Sequence, residues 1–299
     1  MAWLHAVQFI DKNRGWAVGS GGTLLETTDG GATWKRVSIQ TKETLRDVWF
    51  IDDHLGWVVV ERDVYRLKTN DAARSYLLNT EDGGLRWRTV YLAEIDVNAR
   101  LTRVIFADAL NGWVFGETGA VLGTRDGGVT WTRQSLPTRH LLLGGAFFEN
   151  SRLWLVGAGA TIVHTSNRGV TWQKALVRDD AMTRLNATSF VGDRLGWTVG
   201  SSGRIFATSD GGRTWFAQQS NVETDLFDVK FINASEGWAA GANGTLLRTV
   251  NGGRHWFAEP TGTSHALTRL SIVDRSHGWA VGFGGTILRI GNATAPSLR

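Results

Sequence analysis

A Gly-Trp pair, or its equivalent, recurs seven times along the 299 residues. It stands at Gly15-Trp16, Gly56-Trp57, Gly112-Trp113, Leu153-Trp154, Gly196-Trp197, Gly237-Trp238 and Gly278-Trp279, in steps of 41, 56, 41, 43, 41 and 41 residues. A fixed period of this length marks a repeat architecture, in which a small unit must stack on copies of itself to bury a core. A second signature follows 18 residues after the Trp in five units: Asp29 to Trp34, Asp126 to Trp131, Asn167 to Trp172, Asp210 to Trp215 and Asn251 to Trp256. In unit two it runs from Asp82 to Trp87, displaced by 12 residues. The two signatures use 13 of the 15 tryptophans and leave Trp3 and Trp49.

Each unit reads as four short strands. The first is a Leu-x-x-Val-x-Phe stretch such as Leu45 to Phe50, the second starts at Gly-Trp, the third follows a Gly-rich hairpin such as Ser20-Gly21-Gly22, and the fourth begins at the last Trp of the glycine-rich box. Glycine reaches positive φ without penalty, and Asp or Asn bonds nearby backbone amides, so these are turn residues by chemistry. Four antiparallel strands per repeat of about 40 residues predict an all-β, seven-bladed β-propeller; a solenoid is the alternative, but four-stranded repeats favour radial closure. Helix is expected at under ~5%, far below the usual one-third. A single domain over 1–299 is expected, with blades at 4–40, 41–97, 98–138, 139–181, 182–222, 223–263 and 264–299. Two irregularities stand out. Unit two carries 12 extra residues within Glu61 to Thr80, where both Val64 to Leu67 and Tyr76 to Leu78 could be the third strand; an extra hairpin is the simplest reading. Unit seven stops at Ile287 to Ile290 without a box, so either the tail Gly291 to Arg299 completes it or a leader and a closing strand precede the given sequence; we favour the second.

The glycine-rich box resembles the Asp-box, or bacterial neuraminidase repeat, with structural residues Asp29, Trp34, Asp82, Trp87, Asp126, Trp131, Asn167, Trp172, Asp210, Trp215, Asn251 and Trp256. The whole unit, Phe-x-Asp, Gly-Trp-x-Val-Gly, Gly-Thr-Leu-Leu and Thr-x-Asp-Gly-Gly-x-Thr-Trp, is similar to a narrower family. It resembles the photosystem II stability and assembly factors of cyanobacteria and chloroplasts, with their relatives in non-photosynthetic bacteria, over residues 4–290. The resemblance implies a non-enzymatic scaffold that binds a protein or peptide, a photosystem II core subunit in photosynthetic organisms. It also implies a periplasmic, thylakoid-lumenal or extracellular location if a leader is missing. The alternative is a carbohydrate-active Asp-box propeller, either lectin or sialidase-like hydrolase.

Composition narrows the chemistry. There is no cysteine, which removes thiolate catalysis and Cys-ligated metals. No apolar run approaches the ~18 residues of a membrane span. The net charge of +4 is spread along the chain, which is no nucleic-acid footprint, and a monomer is expected. A sialidase needs an arginine triad and a Tyr activated by Glu, whereas Tyr65, Tyr76 and Tyr91 all lie in units two to three. Asp47 and Asp228 share one inner-strand position with Arg103 and Arg269, so interblade ion pairs are expected there rather than an acid/base couple. Single carboxylates per box do not make a calcium site, and the seven histidines have no zinc spacing. We therefore expect no catalytic residue, metal or cofactor. Trp49, with Phe147 two units on, is the one aromatic pair that could face a sugar.

One asymmetry rises above the repeat. The residues after the box Trp are basic in units one to four, giving Lys35, Arg36, Arg88, Arg133 and Lys174, and apolar in units five and six, at Phe216-Ala217 and Phe257-Ala258. Arg62 and Arg66 of the insertion join the basic sector. Two readings stay open: protection of blade edges against aggregation, or a docking surface for an acidic segment of a partner.

Overall fold

A computed structural model describes residues 3–63, 65, 73–93, 95–149, 151–177 and 183–291. Blade one consists of β1 (Leu4–Phe9), β2 (Gly15–Gly19), β3 (Thr23–Thr27) and β4 (Lys35–Arg36). Blade two has β5 (Thr44–Phe50), β6 (Gly56–Glu61), β7 (Ser75–Thr80) and β8 (Arg88–Val90). Blade three has β9 (Leu101–Phe106), β10 (Gly112–Gly116), β11 (Val121–Thr124) and β12 (Thr132–Arg133), and blade four β13 (Leu142–Phe148), β14 (Arg152–Gly157), β15 (Thr161–Thr165) and β16 (Gln173–Lys174). Then β17 (Leu176–Val177) leads into blade five, β18 (Leu185–Val191), β19 (Leu195–Gly200), β20 (Ile205–Thr208) and β21 (Thr214–Gln218). Blade six is β22 (Leu226–Phe231), β23 (Gly237–Gly241), β24 (Leu246–Thr249) and β25 (Phe257–Ala258); blade seven is β26 (Leu267–Asp274), β27 (His277–Gly282) and β28 (Ile287–Ile290). Neighbours within each blade are antiparallel meanders, and the seven blades form an all-β propeller. Among the described residues the helical elements with assigned bounds are single 3-10 turns at Glu117–Gly119, Ser201–Gly203, Ala242–Gly244 and Phe283–Gly285.

The recurring Gly-Trp has a packing cause. In blades one, two, three, five and six a Cβ on the Gly would stand 2.6, 2.5, 2.4, 2.5 and 2.6 Å from the ring of Phe9, Phe50, Phe106, Phe190 or Phe231 in the same blade. Only glycine lets that Phe lie across its own second strand. The adjacent Trp reaches into the next blade and stacks on that blade's Phe. Trp16 lies on Phe50 with centroids 3.6 Å apart, Trp154 on Phe190 at 3.7 Å, Trp197 on Phe231 at 3.5 Å and Trp279 on Phe9 at 3.4 Å. Trp57 lies less closely on Phe106, at 5.2 Å. The box Trp of the same blade meets each Phe edge-on, as Trp34 meets Phe9 at 89° and Trp256 meets Phe231 at 89°. Each Phe thus has one flat and one edge-on partner, an arrangement the ring quadrupole favours.

The joint between blades three and four departs from this pattern. Leu153 replaces the Gly and is fully buried beside Trp113 and Trp172, while Phe148 stays half-buried.

Blade seven has three strands among the described residues. The ring closes where β26 and β27 meet β1. Trp279 stacks on Phe9 and donates from Nε1 to Gly30 O at 3.1 Å, Phe9 N donates to Ser271 Oγ at 2.8 Å, and Thr268 Oγ1 donates to Leu4 O at 3.0 Å. The proposed fourth strand in the tail or before the start lies outside the described residues.

Of the two candidates for the third strand of blade two, β7 is the one used, pairing Gly56 with Thr80 through Glu61 with Ser75. The expected extra hairpin falls mostly on residues 64 and 66–72, outside the described residues. One strand was not expected: β17, within the stretch assigned to blade four, crosses over and pairs in parallel with β21 on the outer edge of blade five.

Candidate functional site

The inner strands line a central channel. Three residues before Phe9, Phe50, Phe106, Phe148, Phe190, Phe231 and Ile272 stand Ala6, Asp47, Arg103, Gly145, Ala187, Asp228 and Arg269. Asp47 accepts from Arg269 Nη2 at 3.0 Å across blade one, and its other oxygen accepts from Val104 N of the next blade at 3.0 Å. Burial pushes Asp47 up to about 7, against the pull of Arg103, the Val104 amide and Lys230. Asp228 instead takes backbone amides, from Val229 at 3.0 Å and from Leu270 of blade seven at 2.9 Å. Arg103 donates from Nε to Leu143 O at 2.7 Å. Both carboxylates therefore serve as clasps between blades, and among the described residues the expected interblade ion pair forms at Asp47. Two residues further along, Ser189 and Ser271 accept the N–H of the next blade's Phe. Lys230 occupies the same inner position and faces the same cavity. Sequence reasoning missed it, although the two-residue period from Asp228 was a sufficient signal. Trp49 and Phe147 meet edge-on at 5.9 Å and are half-buried, which leaves little face for a sugar ring.

The boxes hold their turns by one repeated network. Thr27 Oγ1 accepts from Gly31 N at 2.9 Å and donates to Asp29 Oδ1 at 2.8 Å, while Asp29 accepts from Thr33 N at 2.9 Å and Thr33 Oγ1 at 2.6 Å. The boxes at Asp126 and Asp210 repeat these bonds, and Asp82 accepts from Arg86 N at 2.8 Å. Asn167 keeps the backbone bond to Thr171 and turns its amide N–H toward Thr171 Oγ1 at 2.9 Å. In the box at Asn251 the partner is His255, with Nδ1 at 3.0 Å from the amide nitrogen. The Asn side chain therefore serves where Thr or His offers an acceptor.

The Thr130 hydroxyl and then its amide hold Asp126 well below the ordinary carboxylate range, at about 2. A depressed folded pKa means stability that is full above the unfolded value of 3.8 and is lost as pH falls through about 2. Asp126→Asn is thus expected to be nearly silent at neutral pH and to flatten the loss of stability between these two values. Asp126→Ala is expected to lower the melting temperature at neutral pH by a few degrees, ~2–4 °C. Thermal melts across acid pH check both.

On the rim, Lys35 and Arg36 on β4, Arg88 on β8, Arg133 on β12 and Lys174 on β16 are all exposed, on the outermost strands of four consecutive blades. Arg88 also donates to Asn79 Oδ1 at 3.2 Å. Arg62 differs. It is half-buried, pairs with Glu43 at 3.6 Å, donates to Ala73 O at 2.5 Å and lies over the Tyr76 ring at 4.5 Å. The carbonyl and ring at the base of the insertion pin it, so it is not presented on the open rim. Arg74 is similarly spent on Glu61 at 3.0 Å and Glu117 at 3.2 Å. Arg66 lies outside the described residues. The outer edge of blade five is capped at its start, where Leu176 N donates to Arg213 O at 3.0 Å and β17 pairs with Thr214 and Trp215 of β21, while Phe216 stays 51% exposed. A charged edge resists pairing by itself.

Among the described residues one Tyr–Glu pair is present. Tyr76 Oη donates to Glu43 at 2.7 Å, but the side chain is buried and burial pushes its hydroxyl up to about 12, the opposite of an activated nucleophile. Among the described residues one cluster, Asp52, Asp53 and His54, is compact enough for a cation. Its Asp52 Oδ1 is a turn cap, accepting from His54 N at 2.8 Å and Leu55 N at 2.7 Å.

The chain matches the family described as photosynthesis system II assembly factor YCF48 over residues 2–59, 32–140, 130–221 and 216–291. It is 27% identical over 198 residues to the photosystem II assembly lipoprotein Ycf48 of Synechococcus sp. strain CC9902, an alignment spanning 64% of this chain and 54% of that protein. The chain thus spans about half the length of that relative. Its backbone superposes on a structure of YCF48 bound to D1 peptide with a TM-score of 0.77 at 21% identity, covering 98% of this chain and 92% of that one. It superposes equally on a GH74 xyloglucanase from Xanthomonas campestris, TM-score 0.77 at 12% identity, covering 99% of this chain and 53% of that one. At such identities the structural likenesses speak for the fold alone.

Proposed function

We propose, for a chain that belongs to the photosynthesis system II assembly factor YCF48 family, the role of a non-enzymatic scaffold that binds a protein partner during assembly of a larger complex. The observation that carries this reading is the state of the channel carboxylates. Asp47 is tied to Arg269 and Asp228 to two backbone amides, so neither is placed to act as acid or base on a substrate. The partner class follows from the relatives, one of which is named for its complex with a D1 peptide. In a photosynthetic organism the partner is a photosystem II core subunit. The lipoprotein relative supports an extracytoplasmic location.

The docking surface is the sector of blades one to four. Lys35, Arg36, Arg88, Arg133 and Lys174 offer cations along it. Arginine suits this role because its planar fork grips carboxylates with two parallel bonds. Arg62 serves this surface indirectly, by anchoring the base of the insertion over Tyr76. The test is a titration of the full chain with a D1 peptide, run beside turnover assays on sialosides and β-glucans. Saturable binding without turnover is expected; robust turnover would replace this reading with a carbohydrate-active one.

A further inference from the structure

We propose that the central channel is a binding site for a small organic monocarboxylate, independent of the rim. A cavity of about 250 Å³ opens there, lined by Arg103, Lys230 and Arg269 as cations, Asp47 as the lining acid, and Trp49 and Ile105 on the apolar side. At ~30 Å³ per water this is room for about eight waters, the scale of a small organic acid.

Arg269 is only 7% exposed. Its Nη2 serves Asp47, but Nε and Nη1 are sealed from solvent and have no acceptor among the described residues. Buried donors without acceptors are rare in folded proteins and call for an explanation at each occurrence. Lys230 adds a half-buried ammonium with no hydrogen bond among the described residues. The charge of the lining does not balance either: Arg103, Lys230 and Arg269 face Asp47 across the cavity, an excess of positive charge. The sealed nitrogens of Arg269 stay out of reach of anything in the cavity, but a monoanion there offsets part of the positive excess of its lining. A carboxylate would take a charge-assisted hydrogen bond from the Lys230 ammonium, and an apolar tail would lie against Trp49 and Ile105.

The experiment is calorimetric titration of the full chain with benzoate, benzamide, sulfate and N-acetylglutamate amide. Benzoate is expected to bind with a dissociation constant of ~1 mM or tighter, and benzamide and sulfate at least about tenfold more weakly. Lys230→Met should weaken benzoate about tenfold or more and Lys230→Arg should retain it, with the melting temperature of the Arg variant unchanged and that of the Met variant slightly lowered, because Met gives up the pull of Lys230 on the buried Asp47. Tighter binding of benzoate than of N-acetylglutamate amide assigns the site to a free acid; the reverse assigns it to a side chain of a peptide partner. Independent of any variant, crystals soaked in 4-bromobenzoate should give an anomalous bromine peak beside Trp49 and Ile105. Equal binding of benzamide or sulfate, no effect of Lys230→Met, no binding at all, or a bromine peak elsewhere would overturn the proposal.

Discussion

Replacing Trp279 with Ala is expected to destabilise the chain by ~3–5 kcal/mol, the range for truncating a fully buried aromatic. Trp279 is 1% exposed, lies flat on Phe9 at 3.4 Å and bonds Gly30 O, so it joins the last blade to the first. Among the described residues no strand is exchanged between blades seven and one, so this joint rests on side chains and a few hydrogen bonds. Trp113→Ala is the informative comparison. That indole is equally buried, but its N–H has no acceptor among the described residues and the next blade carries Leu153 in the Gly position. It should cost about 1 kcal/mol less, the worth of an aromatic pair beyond its buried area. Urea unfolding of the two variants checks the difference. A Trp279→Ala protein as stable as wild type would mean that closure does not depend on this joint.

The second large effect is Arg269→Met, expected at ~3–5 kcal/mol, because it strands Asp47 as a buried charge. The pH dependence gives this prediction its sign. Asp47 is raised from 3.8 to about 7 in the folded chain, so folding takes up a proton and stability declines as pH rises through that window. Removing the Arg269 cation raises the group further. The loss should therefore be larger at alkaline than at mildly acid pH, where a neutral carboxyl tolerates the site. Adding Asp47→Asn should recover most of it, since the amide oxygen can still accept from Val104 N. Denaturation at the two pH extremes measures both effects, and a loss independent of pH would contradict the assignment.

The period and the Trp-rich box made the propeller legible because each blade repeats the same packing problem. The reason for the Gly was not legible, since it depends on a Phe ring from another strand lying over it. Leu153 looked like a tolerated substitution, yet it marks the joint where the stack is interrupted. The strand Leu176–Val177 carries no turn signal of its own and pairs with residues 38 positions away, at Thr214 and Trp215, so local pattern could not place it. Tyr76 and Glu43 meet across 33 residues of sequence, and Arg62 is drawn inward by Glu43, Ala73 and Tyr76, which no local pattern ties to it. The channel charges were partly legible. Equivalent positions put Asp47, Arg103, Asp228 and Arg269 on one ring, but the pairing of Asp47 with Arg269 across blade one and the choice of backbone amides by Asp228 need the geometry of the neighbouring blades.

The central claim, that blades one to four receive an acidic segment of a protein partner, is tested most directly by charge reversal. Arg36, Arg88 and Arg133 should be changed together to Glu and the binding of a D1 peptide measured across ionic strength. The account predicts that wild-type binding weakens with salt, that the triple variant loses it, and that the melting temperature hardly moves, because exposed charges contribute only ~0–1 kcal/mol each. A triple variant that binds the peptide as well as wild type does would contradict the account and leave the basic rim as protection of blade edges.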